Sequence, residues 1–338
     1  MEKKHKIIIL AVSIVIIVVT SVVISLSFIS TNPSFNTQKL SQFDTGGDAI
    51  DVVVVDDIAY VVDITEDDPG GLVIINVSDP ASPYELGSYY QTGRFQSVDV
   101  AGDIAYIANV QVGLEIINVS NPSNPIKIGQ YTGSGEIYDV QVIGEIAYIA
   151  DWSRGFIILN VSVPSIVIEI ARFTTAGACT HVSVLNDLAV ISDHLSQFTS
   201  IRIINVVDPY NPVLVGYHVD YDADFWNPFL YEDIVYMGNH GIGGGEVLIL
   251  DVSVPSDIVQ LGLHDDGGFV NSIYVNGSIA YMADYNKGLK VFDVSDPSNP
   301  TSLAQHFDGG HAIEVFVVDD IAYVANRGSG LQIIKLLM

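Results

Sequence analysis

Asp51, Ser97, Asp139, His181, Asn227, Ser272 and Glu314 share a setting. Each stands nine residues ahead of a landmark, the last residue of one recurring phrase, I-A-Y or a near variant, and opens a stretch that is otherwise apolar. A fold that arranges these stretches around an axis brings three carboxylates, an imidazole and three neutral oxygen-bearing groups into one ring. Such a ring could hold water or a hard cation such as Ca2+, which takes several oxygen ligands, with Asp51, Asp139 and Glu314 as the candidate metal ligands. Acid–base groups in the same ring could equally serve a hydrolase or lyase. The mouth of any water-filled channel is polar as well, so residue types alone leave these uses open.

A second group pairs aromatic rings with cations. Trp152, Arg154, Tyr285, Lys287 and Arg327 fall in short variable stretches a few residues after the phrase, and Phe225 and Trp226 lie in "DYDADFWNP". Only ten Lys or Arg follow residue 30, and Arg94, Arg154, Lys287 and Arg327 belong to this set of loops. Aromatic faces beside a few cations suit a sugar or an anionic glycan, and equally a protein partner. A further column three residues past the phrase reads Asp63, Asn109, Asp151, Asp193, Asn239, Asp284 and Asn326. Asp and Asn hydrogen-bond the backbone of a following turn, so this column is read as structure.

Other patterns carry less. Cys179 stands two residues from His181, the same-side spacing of a strand, as a nucleophile and its base would require. A lone Cys is more often a small buried hydrophobe. His194, His218, His240, His264 and His306 lack the spacing of a zinc site. Asn76, Asn118, Asn160 and Asn276 meet the N-x-S glycosylation pattern, three of them inside a repeated "NVS" turn.

The positions above make sense only as columns of a repeat. Tyr60, Tyr106, Tyr148, Tyr236, Tyr281 and Tyr323, with Val190 in the remaining copy, mark seven units spaced by 42 to 46 residues, a period associated with four-stranded propeller blades. In the second unit, "SVDVA", "IAYIA", "LEIINV" and "IKIGQY" are short β-rich runs separated by "GD", "NVQVG" and "SNPSNP". These punctuators indicate an antiparallel meander, with the Asx-Pro pairs at hairpin tips. The seventh unit ends after its third strand, and "KLSQF" at residues 39–43 supplies the missing fourth. A last blade completed by residues 38–43 leaves no open edge between the ends of the array. The expected fold is all-β, a closed seven-bladed propeller over residues 38–338.

Within that frame "GLVIINVSDP", "GLEIINVSNP" and "GLKVFDVSDPSNP" resemble the LVIVD-repeat family of bacterial and archaeal surface proteins. The likeness runs from about Gln38 to the end; unit four departs at Val207 and at an inserted loop. It implies a propeller on an exported or anchored protein and no particular reaction.

Composition narrows the partners. A net charge of −27 over 338 residues argues against nucleic acid, which needs basic stripes. With plentiful aromatic and β-branched residues, the acidity belongs to a folded surface, through adaptation to salt or for binding cationic partners. The single Cys179 leaves no intramolecular disulfide. Ahead of the repeats, Lys3, Lys4 and Lys6 precede an uncharged run from Ile7 to Ile29, long enough as a helix to cross a hydrocarbon core of about 30 Å. The expectation is a basic cytoplasmic tail (1–6), a transmembrane signal anchor (7–30), a linker (31–37) and an extracytoplasmic propeller in a single-pass cell-membrane protein; a cleaved signal is the alternative. Function is then expected as binding or adhesion to a glycan, an envelope polymer or a protein. The alternatives are catalysis at the ring, or a purely architectural role.

Overall fold

The computed structural model describes residues 35–65, 70–133, 136–195, 198–220, 225–239, 245–265, 267–307 and 309–337. The expected basic tail, the transmembrane segment and most of the linker lie outside the described residues. Among the described residues, no helix is long and apolar enough to cross a membrane.

Residues 36–337 form one compact unit of seven four-stranded antiparallel sheets. The chain opens with β1 (Asn36–Phe43), so the last two residues assigned to the linker are already strand. Blade 1 comprises β2 (Asp48–Val55), β3 (Ile58–Ile64), β4 (Gly70–Asn76) and β5 (Tyr84–Gln91). Blade 2 holds β6 (Phe95–Ala101), β7 (Ile104–Asn109), β8 (Gly113–Asn118) and β9 (Ile126–Tyr131), and blade 3 holds β10 (Ile137–Ile143), β11 (Ile146–Asp151), β12 (Gly155–Asn160) and β13 (Ile168–Phe173). Then come β14 (Ala178–Leu185), β15 (Leu188–Leu195), β16 (Phe198–Asn205) and β17 (Val213–Asp220) of blade 4. Blade 5 contains β18 (Phe225–Tyr231), β19 (Ile234–Asn239), β20 (Glu246–Asp251) and β21 (Val259–Asp265); blade 6 contains β22 (Val270–Asn276), β23 (Ile279–Asp284), β24 (Gly288–Asp293) and β25 (Thr301–His306). Blade 7 is β26 (His311–Val318), β27 (Ile321–Arg327) and β28 (Gly330–Leu337), with β1 as its fourth strand.

That last pairing runs from Asn36↔Leu337 to Phe43↔Leu331. The first strands β2, β6, β10, β14, β18, β22 and β26 each pack against the next, and β26 returns to β2, so the ring is closed.

Burial follows from this stacking. Second and third strands are covered on both faces by neighbouring blades and are almost wholly apolar; β12, for example, buries Phe156, Ile157, Ile158 and Leu159 completely. Each core is shared between two blades: Tyr60, Leu72 and Ile74 pack with Phe95, Val98 and Ile107. Across the closure, Val52, Val61 and Val73 pack with Tyr323, Leu331 and Ile333. Between first and second strands, every blade uses a residue at positive φ: Asp56, Gly102, Gly144, Asn186, Glu232, Gly277 and Asp319, all between 52° and 61°. A Cβ at Gly102, Gly144 or Gly277 would meet nothing within 4 Å, so glycine serves the dihedral there and not the space.

Candidate functional site

First strands carry the site because only their inner face looks onto the axis. Along β2, Asp51, Val53 and Val55 are partly exposed while Val52 and Val54 are buried between blades, the alternation expected of a strand. In six blades one residue bulges just before the polar column: Ile50, Gln96, Tyr138, Thr180, Asn271 and Ile313. In blade 5 the irregularity comes later. Trp226 pairs with Gly238 where the other blades have the column residue, and Asn227 and Pro228 bulge instead, Asn227 at φ 47°.

Six of the seven column residues line one axial cavity of about 640 Å³: Asp51, Ser97, Asp139, His181, Asn227 and Glu314. Ser272 does not; it is buried, and its hydroxyl accepts from Val315 N at 3.2 Å. Ser97 Oγ donates to Asp139 Oδ1 at 2.7 Å, and Asn227 Nδ2 reaches Glu314 Oε2 at 2.9 Å. A second tier lies two residues further along each strand, seven ahead of the landmark. It reads Val53 on blade 1, Asp99, Gln141 and Ser183 on blades 2 to 4, and Phe229, Tyr274 and Phe316 on blades 5 to 7. The three rings sit in sequence, Phe229 to Tyr274 at 5.2 Å and Tyr274 to Phe316 at 5.3 Å between centroids. Blades 2 to 4 therefore give this tier a polar side and blades 5 to 7 an aromatic one, with the apolar Val53 of blade 1 between them. A count extended two residues past the first column would have found this tier.

Much of the polar side also binds the blades together. A first strand is a sheet edge, and its unpaired amides need acceptors. Val98 N donates to Asp51 Oδ2 at 2.7 Å, Val142 N to Asp99 Oδ2 at 2.6 Å, and Val182 N to Asp139 Oδ2 at 2.9 Å. Further on, Val184 N donates to Gln141 Oε1 at 2.6 Å and Leu230 N to Ser183 Oγ at 3.0 Å. In each case the side chain of one blade satisfies the backbone of the next.

Burial dominates the electrostatics. It pushes Asp51 up to about 7, with the charge of Asp139 adding to the rise and the amides of Val98 and Val52 opposing it. Glu314 is raised to about 8, first by burial and then by the charge of Asp51. Burial raises Asp139 and Asp99 as well. Among the described residues, no three His, Cys, Asp or Glu side chains converge as a metal ion would require. With so many carboxylate oxygens already accepting amides, Asp51, Asp139 and Glu314 make a poor cage for Ca2+.

The loop residues divide. Trp152, Trp226, Arg94 and Arg327 line the same cavity as the ring. Trp152 packs against Tyr138 at 5.1 Å, and Trp226 lies between His181 at 5.6 Å and His194 at 5.2 Å. Arg327 Nε donates to Asp48 Oδ2 at 2.5 Å, and Tyr285 beside it stacks on His311 at 4.1 Å. Arg154 turns away, toward Tyr131 and Glu169. Lys287 Nζ sits over Gly267, away from the cavity lining. The Phe225 side chain lies outside what is described.

The remaining candidates resolve into structure. Cys179 is fully buried in the core between blades 3 and 4, and burial raises its thiol well above the ordinary value. The bulge at Thr180 breaks the parity that would have put it beside His181. In the "NVS" turns, Asn76, Asn118 and Asn160 accept from the amide and hydroxyl of Ser78, Ser120 and Ser162. Asp251 and Asp293 accept the corresponding amides in blades 5 and 6, so the turn uses an oxygen acceptor at this position in each of these blades. Asn276 is exposed at the end of β22. The Asx column is buried throughout and holds loop backbone, as Asp284 Oδ1 does for Phe269, Asn286 and Lys287. Its carboxylates draw partners from the third strand: Arg202 on Asp193 at 2.6 Å and Lys290 on Asp284 at 3.0 Å.

The LVIVD repeat matches residues 46–91, 92–133, 134–175, 267–306 and 309–335, more than half of the chain. These are blades 1, 2, 3, 6 and 7; blades 4 and 5 lie outside the matches. The crystal structure of the computationally designed Ika8 protein superposes with a TM-score of 0.61 at 12% identity, covering 88% of this chain and 99% of that one, a likeness of fold alone. No curated protein matches the chain.

Proposed function

This chain belongs to the LVIVD repeat family, and from that premise we propose that it is a binding propeller, tethered to a membrane through residues 7–29 and held outside the cytoplasm. Its ligand is a glycan, an envelope polymer or a protein segment taken at the channel mouth. The observation that carries this reading is the cavity itself: about 640 Å³, with Trp152, Trp226, Arg94 and Arg327 around a polar and aromatic channel. Ligand sites combine apolar and aromatic walls with a few placed polar groups in this way. Binding of the full chain to glycan arrays and isolated envelope polymers is the test. Trp152→Ala and Trp226→Ala should each weaken binding by about tenfold or more, as loss of an aromatic anchor does. Unchanged binding in both variants would reject the reading.

A second reading, hydrolysis or lyase-type elimination at the ring, draws on Asp51 and Glu314, whose pKa values of about 7 and 8 suit proton transfer near neutrality. Under that reading Glu314→Gln abolishes turnover of a bound glycan while leaving its binding intact. A chain that binds without turnover fits the first reading only, and one that does neither is architectural.

A further inference from the structure

The turns that join third to fourth strands form a rim on the side opposite the channel mouth. In blades 1, 2 and 6 these turns are polar, with Asp79, Asn121 and Asp296 at one position and Ser82, Asn124 and Asn299 three residues on. Blades 3 to 5 bring apolar residues into the same turn, although blade 4 keeps Asp208 and Asn211 at those two positions and blade 5 keeps Asp257 at the second. Val163 and Val254 replace the acid or amide, Ile166 replaces the later polar residue, and Val207 and Tyr210 replace small polar or alanine positions. All five are exposed, Ile166 and Val207 at 63% and Tyr210 at 59%. Single exposed apolar residues are ordinary, but a crescent across three adjacent blades is a surface.

The route of the chain indicates what covers it. Gln38 pairs with Lys335 in blade 7 as Tyr84 pairs with Asn76 in blade 1, so Asn36 stands where the other blades have this turn. The described chain therefore begins on the same rim, seven residues in sequence after the apolar stretch at residues 7–29 ends. Around a seven-membered ring, blades 3 and 4 lie opposite blade 7. The point of arrival and the apolar crescent thus occupy opposite sides of one rim.

We propose that the apolar turns of blades 3 to 5 rest in the headgroup layer of the bilayer that holds the tether, so that the channel mouth faces away from the lipid. This rests on the tethered reading given above. Tyr210 is of the type that settles at membrane interfaces, with β-branched apolar side chains around it. No Lys or Arg occurs in the three turns, and the protein carries a net charge of −27, so the contact is with zwitterionic lipid and uses no anionic headgroup.

Nitroxide labels at Ile166→Cys, Val207→Cys and, on the opposite side, Gln111→Cys test this in the full chain reconstituted into phosphatidylcholine vesicles; native Cys179 is buried and does not compete for label. Collision with an aqueous nickel chelate should fall at least about threefold at Ile166→Cys and Val207→Cys relative to Gln111→Cys, while collision with oxygen rises, as for side chains seated at the acyl boundary. Labels as open to the chelate as Gln111→Cys would overturn the proposal. So would labels shielded from both reagents, which would mean that protein covers the crescent. Extraction of the chain from vesicles by alkaline carbonate would instead remove the tether on which the proposal stands, whereas a retained chain with water-exposed labels overturns the lipid contact alone.

Discussion

Asp51 and Glu314 titrate near 3.8 and 4.5 when unperturbed and near about 7 and 8 in the fold, because both are buried at the axis within reach of another carboxylate. Between those limits the folded protein binds more protons than the unfolded chain. Their stabilising contribution is complete below about pH 4 and lost as pH rises toward 8. Calorimetry should therefore show the melting midpoint falling from pH 5 to 8.5, and Asp51→Asn with Glu314→Gln should flatten that slope; an unchanged slope would refute the assignment. Arg202→Met leaves the Asp193 carboxylate buried without its cation and should cost about 3–5 kcal/mol in denaturant unfolding, most of it recovered by adding Asp193→Asn. The polar column was legible because counting back from a landmark needs no coordinates. Its occupation was not: Asp51 and Asp139 owe their partners to edge amides of the next blade, which no spacing reveals. Ser272 is where the count fails, since it is buried and does not line the cavity, whereas Asn227 lines it even though a displaced bulge hands its ladder position to Trp226.

Strands and turns repeat more strictly than the residues that fill them. The left-handed position between first and second strands is kept in all seven blades, yet blade 5 fills it with Glu232 at φ 52°. Since a side chain resists that conformation, Glu232→Gly should stabilise the protein by about 1 kcal/mol, read as a rise in the denaturant midpoint. The same substitution at Ile58, inside β3, would be destabilising. Strand count and turn sites followed directly from period and punctuation, because Asx-Pro and Gly-Asp pairs cannot occupy the centre of a ladder. The departure of unit four at Val207 and the loop bearing Trp226 were legible, but where the side chains of blades 4 and 5 would lie was not. Both keep four strands although the family's repeat pattern does not reach them, and they bring Trp226, Phe229, Val207 and Tyr210. An aromatic at the axis and an apolar residue on the rim look alike in a sequence; only the direction of the strand separates them.

At the level of the whole molecule, closure of the ring and the amides already seated on its carboxylates give two further expectations. Removing residues 1–43 strips β1 from β28 and bares Leu331, Ile333 and their neighbours at an unpaired edge, so that chain should aggregate, whereas removal of residues 1–34 should leave the melting midpoint of the propeller unchanged. Size-exclusion chromatography with thermal scanning distinguishes the two. Treatment with EDTA should move that midpoint by less than about 1 °C, because anything bound only by the native state stabilises it by mass action and its removal would show. Seven-fold architecture and the join between the two ends were readable before any coordinates, as the missing strand and the surplus strand had matching patterns. That join also sets a schedule for synthesis. The strand that seals the ring leaves the ribosome first and its partner last, at about 5–20 residues per second roughly 15–60 s apart. Blades can stack as they appear, but a nascent chain interrupted anywhere before Gly330 has no means of becoming a circle.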